Sequence, residues 1–150
     1  MNADIQVDIV DPRWRRRLPG AAALVRSSAR AALDGARRGC VTFALADDAF
    51  LRTLNRDFRG KDKPTNVLSF PGSGAELGDV ALALETCARE AKAQRKDLAA
   101  HVRHLVVHGA LHLLGHDHEN DADAFAMEAL ERRVLRRLGV ADPYRMRGAA

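Results

Sequence analysis

Three short stretches of the chain place their larger apolar residues at every second position, which is the pattern of half-buried β-strands, and a fourth is a short, mainly apolar run. They cover residues 5–9, 41–45, 67–70 and 80–84. Turn-forming pairs close the first and the third stretch, at Asp11-Pro12 and at Pro71-Gly72. The pattern therefore predicts four strands.

Between and after these stretches, apolar residues recur at helical spacing. We expect helices from Gly20 to near Gly39, from a cap at Asp47 or Asp48 to Gly60, from Leu84 to a break within residues 95–100, from there to Leu114, and from Asp121 to Gly139. Strands that alternate with helices predict a fold of the α/β (α+β) class. We expect one domain over residues 1–150, with a single mixed four-stranded sheet packed with about five helices.

Composition narrows the class of protein further. The net charge of +4 and the pI of about 9.6 favour a polyanionic partner without identifying one. Cys40 and Cys87 are too few and too far apart for a disulfide scaffold, so we expect reduced thiols. No apolar stretch approaches the roughly 18 residues needed to span a bilayer, and no signal peptide is evident. We therefore expect a cytoplasmic protein with no membrane contact.

Three histidines near the end of the fourth predicted helix form the strongest chemical pattern. His108 and His112 are four residues apart, so they lie on one helix face, one turn apart. Gly115 can adopt a positive φ and reverse the chain, which lets His118 approach the same ion. Three imidazoles suit a tetrahedral zinc ion with one open position for water. His116 and Asp117 are the alternatives for the third ligand.

The same spacing occurs in metzincin proteases, which place a glutamate directly after the first histidine as the general base. Here that residue is Gly109, so peptide hydrolysis by that mechanism is disfavoured. Imidazole ligands usually need an acceptor for their other ring nitrogen, and Asp79 or Asp117 could provide it. His104 lies one turn before His108. It could hydrogen-bond to a metal ligand and orient it, it could contact a phosphate, or it could be a partly buried or surface residue of a packed helix with no role in the site.

Two long segments and two short ones resemble a known family. They are Leu-Asn-Arg-Asp-Phe-Arg-Gly-Lys-Asp-Lys-Pro-Thr-Asn-Val-Leu-Ser-Phe-Pro at 54–71, His-Gly-Ala-Leu-His-Leu-Leu-Gly-His-Asp-His at 108–118, Leu-Gly-Asp-Val at 77–80, and the stretch from Gly139 to Tyr144. The chain resembles, over about residues 40–145, the YbeY family of bacterial endoribonucleases that act in ribosomal RNA maturation. It differs at His116, where the family usually has tyrosine, so a fourth imidazole is available near the metal.

The resemblance implies a small α/β or α+β domain, one zinc ion held by His108, His112 and His118, and cleavage of single-stranded RNA. It also implies a functional arginine, which here is Arg59. Chemistry is consistent with that role, because a guanidinium can bind two phosphate oxygens at once. The implied partners are single-stranded RNA, ribosomal RNA or a ribosomal subunit, and the implied roles are ribosomal RNA maturation and ribosome quality control.

Two other functions remain open from the sequence. One is a ribosome-biogenesis binding factor whose zinc is mainly structural, with His116 closing the fourth position. The other is a metallohydrolase acting on another substrate.

Further basic residues allow two interpretations each. Lys61 and Lys63 either add charge for phosphate or form a solvated loop, and the arginines at 13–17 could follow an RNA backbone. The arginines at 132–137 could do the same, but with Glu128 and Glu131 beside them we expect a salt-bridged exposed face. Trp14 could stack on a base, although we favour a position in the core or at its rim.

Overall fold

The four predicted strands form one sheet in the computed structural model, which describes residues 3–117 and 119–144. The strands are β1 (Asp4–Ile9), β2 (Cys40–Ala46), β3 (Val67–Pro71) and β4 (Glu76–Ala83). They lie in the order β1-β2-β4-β3, with β1, β2 and β4 parallel and β3 antiparallel to β4. The mixed sheet is therefore confirmed. Leu84, which we placed both at the end of the fourth strand and at the start of the next helix, is the first residue of that helix, so the helix start is confirmed.

Six helices are present in the described part of the chain, against the expected number of about five. They are α1 (Arg13–Arg17), α2 (Ala21–Ala32), α3 (Asp48–Arg59), α4 (Leu84–Ala93), α5 (Leu98–Leu113) and α6 (Asp121–Arg137). The short α1 was not predicted. Helix α2 ends at Ala32 rather than near Gly39, because the chain turns at Gly35 with a φ of +79° and then crosses to β2.

The main core lies on one face of the sheet. Val41, Phe43 and Leu45 of β2 are fully buried there and belong to one apolar cluster with α2 and α5. A smaller cluster lies beneath α3 on the other face, where Leu51 packs near Ala81. The strand alternation read from the sequence is thus the alternation between these two faces.

Trp14 is part of the buried structure. Its side chain is fully buried, and the indole Nε1 donates a hydrogen bond to the carbonyl oxygen of Ala46 at 2.8 Å. The expected core position is confirmed, and the alternative of a base-stacking tryptophan is wrong.

Helix α5 approaches the sheet closely at Gly109. A Cβ atom at this position would lie 2.8 Å from Val80 Cγ1 and 3.1 Å from Ser69 Oγ. The Ser69 hydroxyl also donates a hydrogen bond to the Gly109 carbonyl oxygen at 3.0 Å. Position 109, where a metzincin would have its glutamate, therefore faces the sheet. The hydrogen bond from Ser69 also ties the helix backbone next to His108 to β3.

Within residues 3–117 and 119–144, no helix combines the length and apolar character needed to cross a membrane.

Candidate metal centre and active site

His108 and His112 converge at the end of α5. Their Nε2 atoms are 3.1 Å apart, and both side chains are half-buried. Two nitrogens bound to one tetrahedral zinc at roughly 2.0–2.1 Å would lie about 3.3 Å apart. The spacing and the donor type of this pair therefore fit a zinc-like ion.

The helix that holds the two histidines ends in a Schellman motif. The N–H of Gly115 donates to the carbonyl oxygen of His112 at 3.0 Å, and the N–H of His116 donates to that of Leu111 at 3.1 Å. Gly115 has a φ of +96°, in the region that favours glycine. The predicted glycine turn at the end of the metal helix is confirmed, and it directs the following residues back toward the histidine pair.

The third predicted ligand, His118, lies outside the described residues. His116 and Asp117 are half-buried and line the same cavity as His108 and His112. Among residues 3–117 and 119–144, no group of three or more histidine, cysteine or acidic side chains converges as a metal site. The three-histidine set therefore stays a prediction.

Glu131 of α6 is the main feature of the centre that sequence reasoning missed. We expected it on an exposed salt-bridged face, and that was wrong, because its side chain is fully buried. Its Oε1 is 2.8 Å from His108 Nδ1 and its Oε2 is 2.9 Å from His104 Nε2. Tyr144 Oη also donates to Oε2.

A signal for this position was present in the sequence. Residues 127, 131, 134, 135 and 138 follow helical spacing, and the other four are the apolar residues Met127, Val134, Leu135 and Leu138. Glu131 thus interrupts an apolar stripe that faces the core. Asp79, one of the acceptors we had suggested, is exposed and lines a separate cavity beneath α3.

Hydrogen bonds decide the charge state of Glu131, whereas burial decides that of His104. Burial acts to raise the pKa of Glu131, but the hydrogen bonds from His104, His108 and Tyr144 outweigh it and hold that pKa far below its usual range. Burial lowers the pKa of His104, and the hydrogen bond to Glu131 only partly opposes this effect. The carboxylate is therefore ionised and His104 is neutral at neutral pH.

Arg59 lines the same open cavity as His108 and His112, whose volume is about 420 Å³. It lies at the end of α3, and its Nη2 donates to the carbonyl oxygen of Ser69 at 2.8 Å. Its Cζ lies 5.5 Å from the centre of the Phe70 ring. Ser69 thus contacts both Arg59 and the metal helix.

Further basic side chains adjoin Arg59. Lys61 and Lys63 are exposed, and together with Arg59 they line a neighbouring cavity of about 340 Å³. Arg59 therefore lines both the cavity of the histidine pair and that of the two lysines.

The other arginines have mixed surroundings. Arg132 pairs with Glu128 at 3.7 Å and with Asp142 at 3.1 Å, and Arg137 pairs with Asp34 at 3.3 Å. The expected salt-bridged face of the last helix is therefore confirmed for these two residues. Arg13 pairs with Asp11 at 2.7 Å and with Glu85 at 3.4 Å. The other three arginines of α1 are exposed.

Comparison with known proteins shows close relatives. A family model described as Endoribonuclease YbeY matches residues 9–139. A protein named Endoribonuclease YbeY from Paramagnetospirillum magneticum is 50% identical, with 94% of this chain and 95% of the relative covered. One of the same name from Sphingopyxis alaskensis is 51% identical, with 83% and 82% covered.

A solved structure shares the fold. The solution structure of TM1509 from Thermotoga maritima superposes with a TM-score of 0.59 at 23% identity, and the match covers 87% of this chain and 86% of that one. At this identity the likeness supports the fold alone.

Proposed function

Because this chain belongs to the endoribonuclease YbeY family, we propose that it cleaves single-stranded RNA with the aid of one zinc ion held by His108, His112 and His118. The observation that supports this best is the convergence of two imidazole Nε2 atoms at 3.1 Å in a cavity that Arg59 also lines. Neutral imidazoles are favoured ligands for zinc. When bound, such an ion supplies Lewis acidity for polarising a phosphoryl oxygen.

Arg59 is the residue we propose for binding the scissile phosphate. Its planar guanidinium can donate two parallel hydrogen bonds to two oxygens of one phosphate. The contacts to Ser69 and Phe70 fix the direction of the side chain, so the charge is already placed when the substrate binds. Negative charge that develops on those oxygens during cleavage is stabilised by the same group.

Lys61 and Lys63 are placed to bind a neighbouring phosphate of the same strand. Together with Arg59 they line the neighbouring cavity, and both lysines are exposed. A strand bound in both cavities would contact the basic loop with one phosphate and the histidine pair with another. This arrangement favours a flexible single strand, because a duplex holds its backbone at fixed spacing and shields the bases.

We place this reaction in the cytoplasm, on ribosomal RNA or a ribosomal subunit, where it serves maturation and quality control. The support is the family membership together with the excess of positive charge, which favours polyanionic partners. Both cysteines are free thiols, which suits a reducing compartment.

The test is cleavage of an RNA that contains both single-stranded and duplex segments. Purified protein with zinc is expected to cut only the single-stranded segments. Removal of zinc with a chelator is expected to abolish cleavage, and added zinc is expected to restore it. His112→Ala should release most of the metal, because two imidazoles bind an ion far more weakly than three, and should lose cleavage with it.

Two further variants identify the third ligand. His118→Ala is expected to lose zinc and activity, whereas His116→Ala is expected to keep most of both. The reverse result would show that His116 is the ligand. Equal cleavage by the wild type and by His112→Ala would mean that a contaminating nuclease is responsible, and the proposed function would be wrong.

A further inference from the structure

We propose that Glu131 is the positioning residue of the metal centre, which fixes the ring orientation and the tautomer of His108 so that Nε2 faces the metal. This inference rests on the proposed function in one respect, because it takes His108 to be a ligand. Glu131 itself lies on a different helix, 23 residues further along the chain.

The hydrogen bonds of Glu131 carry the argument. Oε2 of Glu131 already takes the hydrogen bond that the Tyr144 hydroxyl donates, and a carboxylate surrounded by donors accepts at both of its oxygens. His108 Nδ1, at 2.8 Å from Oε1, must therefore carry a proton. In the neutral ring, Nε2 then bears the lone pair, and this is the atom that lies 3.1 Å from His112 Nε2. The carboxylate thus directs the coordinating nitrogen of His108 toward the partner ligand.

The same reasoning assigns the proton of His104. Its Nε2 is 2.9 Å from Oε2 of Glu131 and so carries the proton of the neutral ring. Within the described residues, His104 Nδ1 is buried and has no hydrogen-bond partner, as expected for the nitrogen that bears no proton. His104 therefore acts through Glu131, as a second donor that holds the carboxylate in place.

Burial makes a purely structural role for Glu131 a poor explanation. Taking a carboxylate out of water is costly, and an apolar residue of similar volume is often at least as stable in such a place. Glu131 lies in the apolar stripe of α6 between Met127 and Val134, where leucine would pack without that cost. The charge is retained in a position where it orients the ring of a proposed metal ligand, as carboxylates commonly do for zinc-bound histidines.

The first measurement needs no variant. The tautomer of each histidine in the metal-free full chain can be read from long-range ¹H–¹⁵N NMR spectra. We expect His108 to carry its proton on Nδ1 and His104 on Nε2. A proton on Nε2 of His108 in the wild type would overturn the proposal.

The second measurement uses Glu131→Gln, which keeps the size of the side chain. Oε2 accepts from both His104 and Tyr144, so the single amide oxygen of glutamine is expected to take that position. Its NH₂ group then faces His108 Nδ1 and forces the proton of that ring onto Nε2. We expect the zinc dissociation constant, measured by competition with a chromophoric chelator, to rise on the order of 10–100-fold.

Two variants serve as controls. Glu128→Gln makes the same chemical change one turn earlier on α6, at a half-buried residue that pairs with Arg132, and is expected to bind zinc as the wild type does. Glu131→Asp retains two acceptor oxygens, so His108 is expected to keep its proton on Nδ1 and zinc affinity to recover in part. The proposal is wrong if folded Glu131→Gln loses no more affinity than Glu128→Gln.

Failure of this inference can be told apart from failure of the proposed function. No RNA enters either measurement, and His108→Ala provides the reference for a lost ligand. If His108→Ala binds zinc as tightly as the wild type, the metal assignment is wrong and the inference fails with it. If His108→Ala loses zinc and Glu131→Gln does not, only the role of Glu131 is overturned.

Discussion

Within residues 3–117 and 119–144, the contacts that hold Arg59 at the cavity use little of its hydrogen-bonding capacity. One of its five N–H donors goes to the carbonyl oxygen of Ser69, and its guanidinium lies over the Phe70 ring. The side chain is exposed, so its replacement should cost little folding free energy. A large effect on catalysis with a small effect on stability is therefore the signature of its proposed role.

We expect Arg59→Glu to reduce cleavage of single-stranded RNA by at least 100-fold, because a carboxylate would repel the phosphate, a loss equivalent to about 2.7 kcal/mol of transition-state stabilisation. Arg59→Lys should recover only part of the activity, since lysine lacks the bidentate fork. Arg56→Glu is the matched control, because it makes the same charge change on α3 at a residue paired with Asp57. Equal losses in Arg56→Glu and Arg59→Glu would indicate a general charge effect.

At the level of single residues, the sequence was sufficient to predict the site residues whose role follows from their spacing along one helix. The four-residue interval between His108 and His112 and the glycine at 115 depend only on helix geometry. Glu131 could not be assigned in the same way, because its partners His104 and His108 lie on another helix. Only its place within an apolar stripe distinguished it from the solvated glutamates nearby.

Helix α5 is positioned as an element by its contact with the sheet and by its C-terminal turn. Gly109 lets the helix backbone approach β3, and Ser69 hydrogen-bonds to that backbone. The Schellman motif at Gly115 then ends the helix directly after the second histidine. Each glycine is required for a different reason, one for close packing and the other for a positive φ.

Two opposing effects decide how Gly109→Ala changes stability. Alanine normally stabilises a helix by about 1 kcal/mol relative to glycine. Here the added methyl group would lie 2.8 Å from Val80 Cγ1, and overpacking of this kind typically costs about 1–3 kcal/mol. We expect a net loss of about 1 kcal/mol in the free energy of unfolding, measured with denaturant. A gain in stability would show that the helix can shift away from the sheet.

Gly115→Val tests the turn. A Cβ atom at this position meets nothing within 4 Å, so any cost must come from the backbone conformation. Holding a β-branched residue at a φ of +96° should lower the free energy of unfolding of the protein by about 1–2 kcal/mol. Zinc affinity should fall as well, because the residues after the turn would be displaced. Gly115→Asn should be milder, since asparagine tolerates positive φ better, and wild-type behaviour of the valine variant would contradict this account.

Elements were predicted better in kind than in extent. The four strands and the helices with clear capping residues were found, and Asp47 does cap α3 by accepting from the N–H of Phe50. The boundaries that differed are those decided by tertiary contacts. Helix α1 forms because Trp14 is anchored to Ala46 of β2, and no local signal in the arginine-rich stretch indicated that contact.

In the whole molecule, the candidate site is formed by segments that are distant in sequence. Arg59 ends α3 on one face of the sheet, whereas the histidines belong to α5 on the other. Strand β3 lies at the sheet edge and contacts both, through the carbonyl and the hydroxyl of Ser69. The cavity thus follows from the strand order, which periodicity alone could not establish.

This arrangement predicts which basic residues contribute to RNA binding. Single-stranded RNA bound along both cavities should contact Lys61 and Lys63, so the double variant Lys61→Gln/Lys63→Gln should release fewer counterions. The slope of log K against log salt concentration should become shallower by about 1.4, from two contacts at about 0.7 each. Binding can be measured by fluorescence anisotropy in His112→Ala, which is expected not to cleave the probe. Arg26→Gln/Arg30→Gln removes the same charge from the exposed side of α2 and should leave the slope unchanged. Equal changes in the two double variants would mean that RNA responds to the net charge of +4 rather than to the lysine loop.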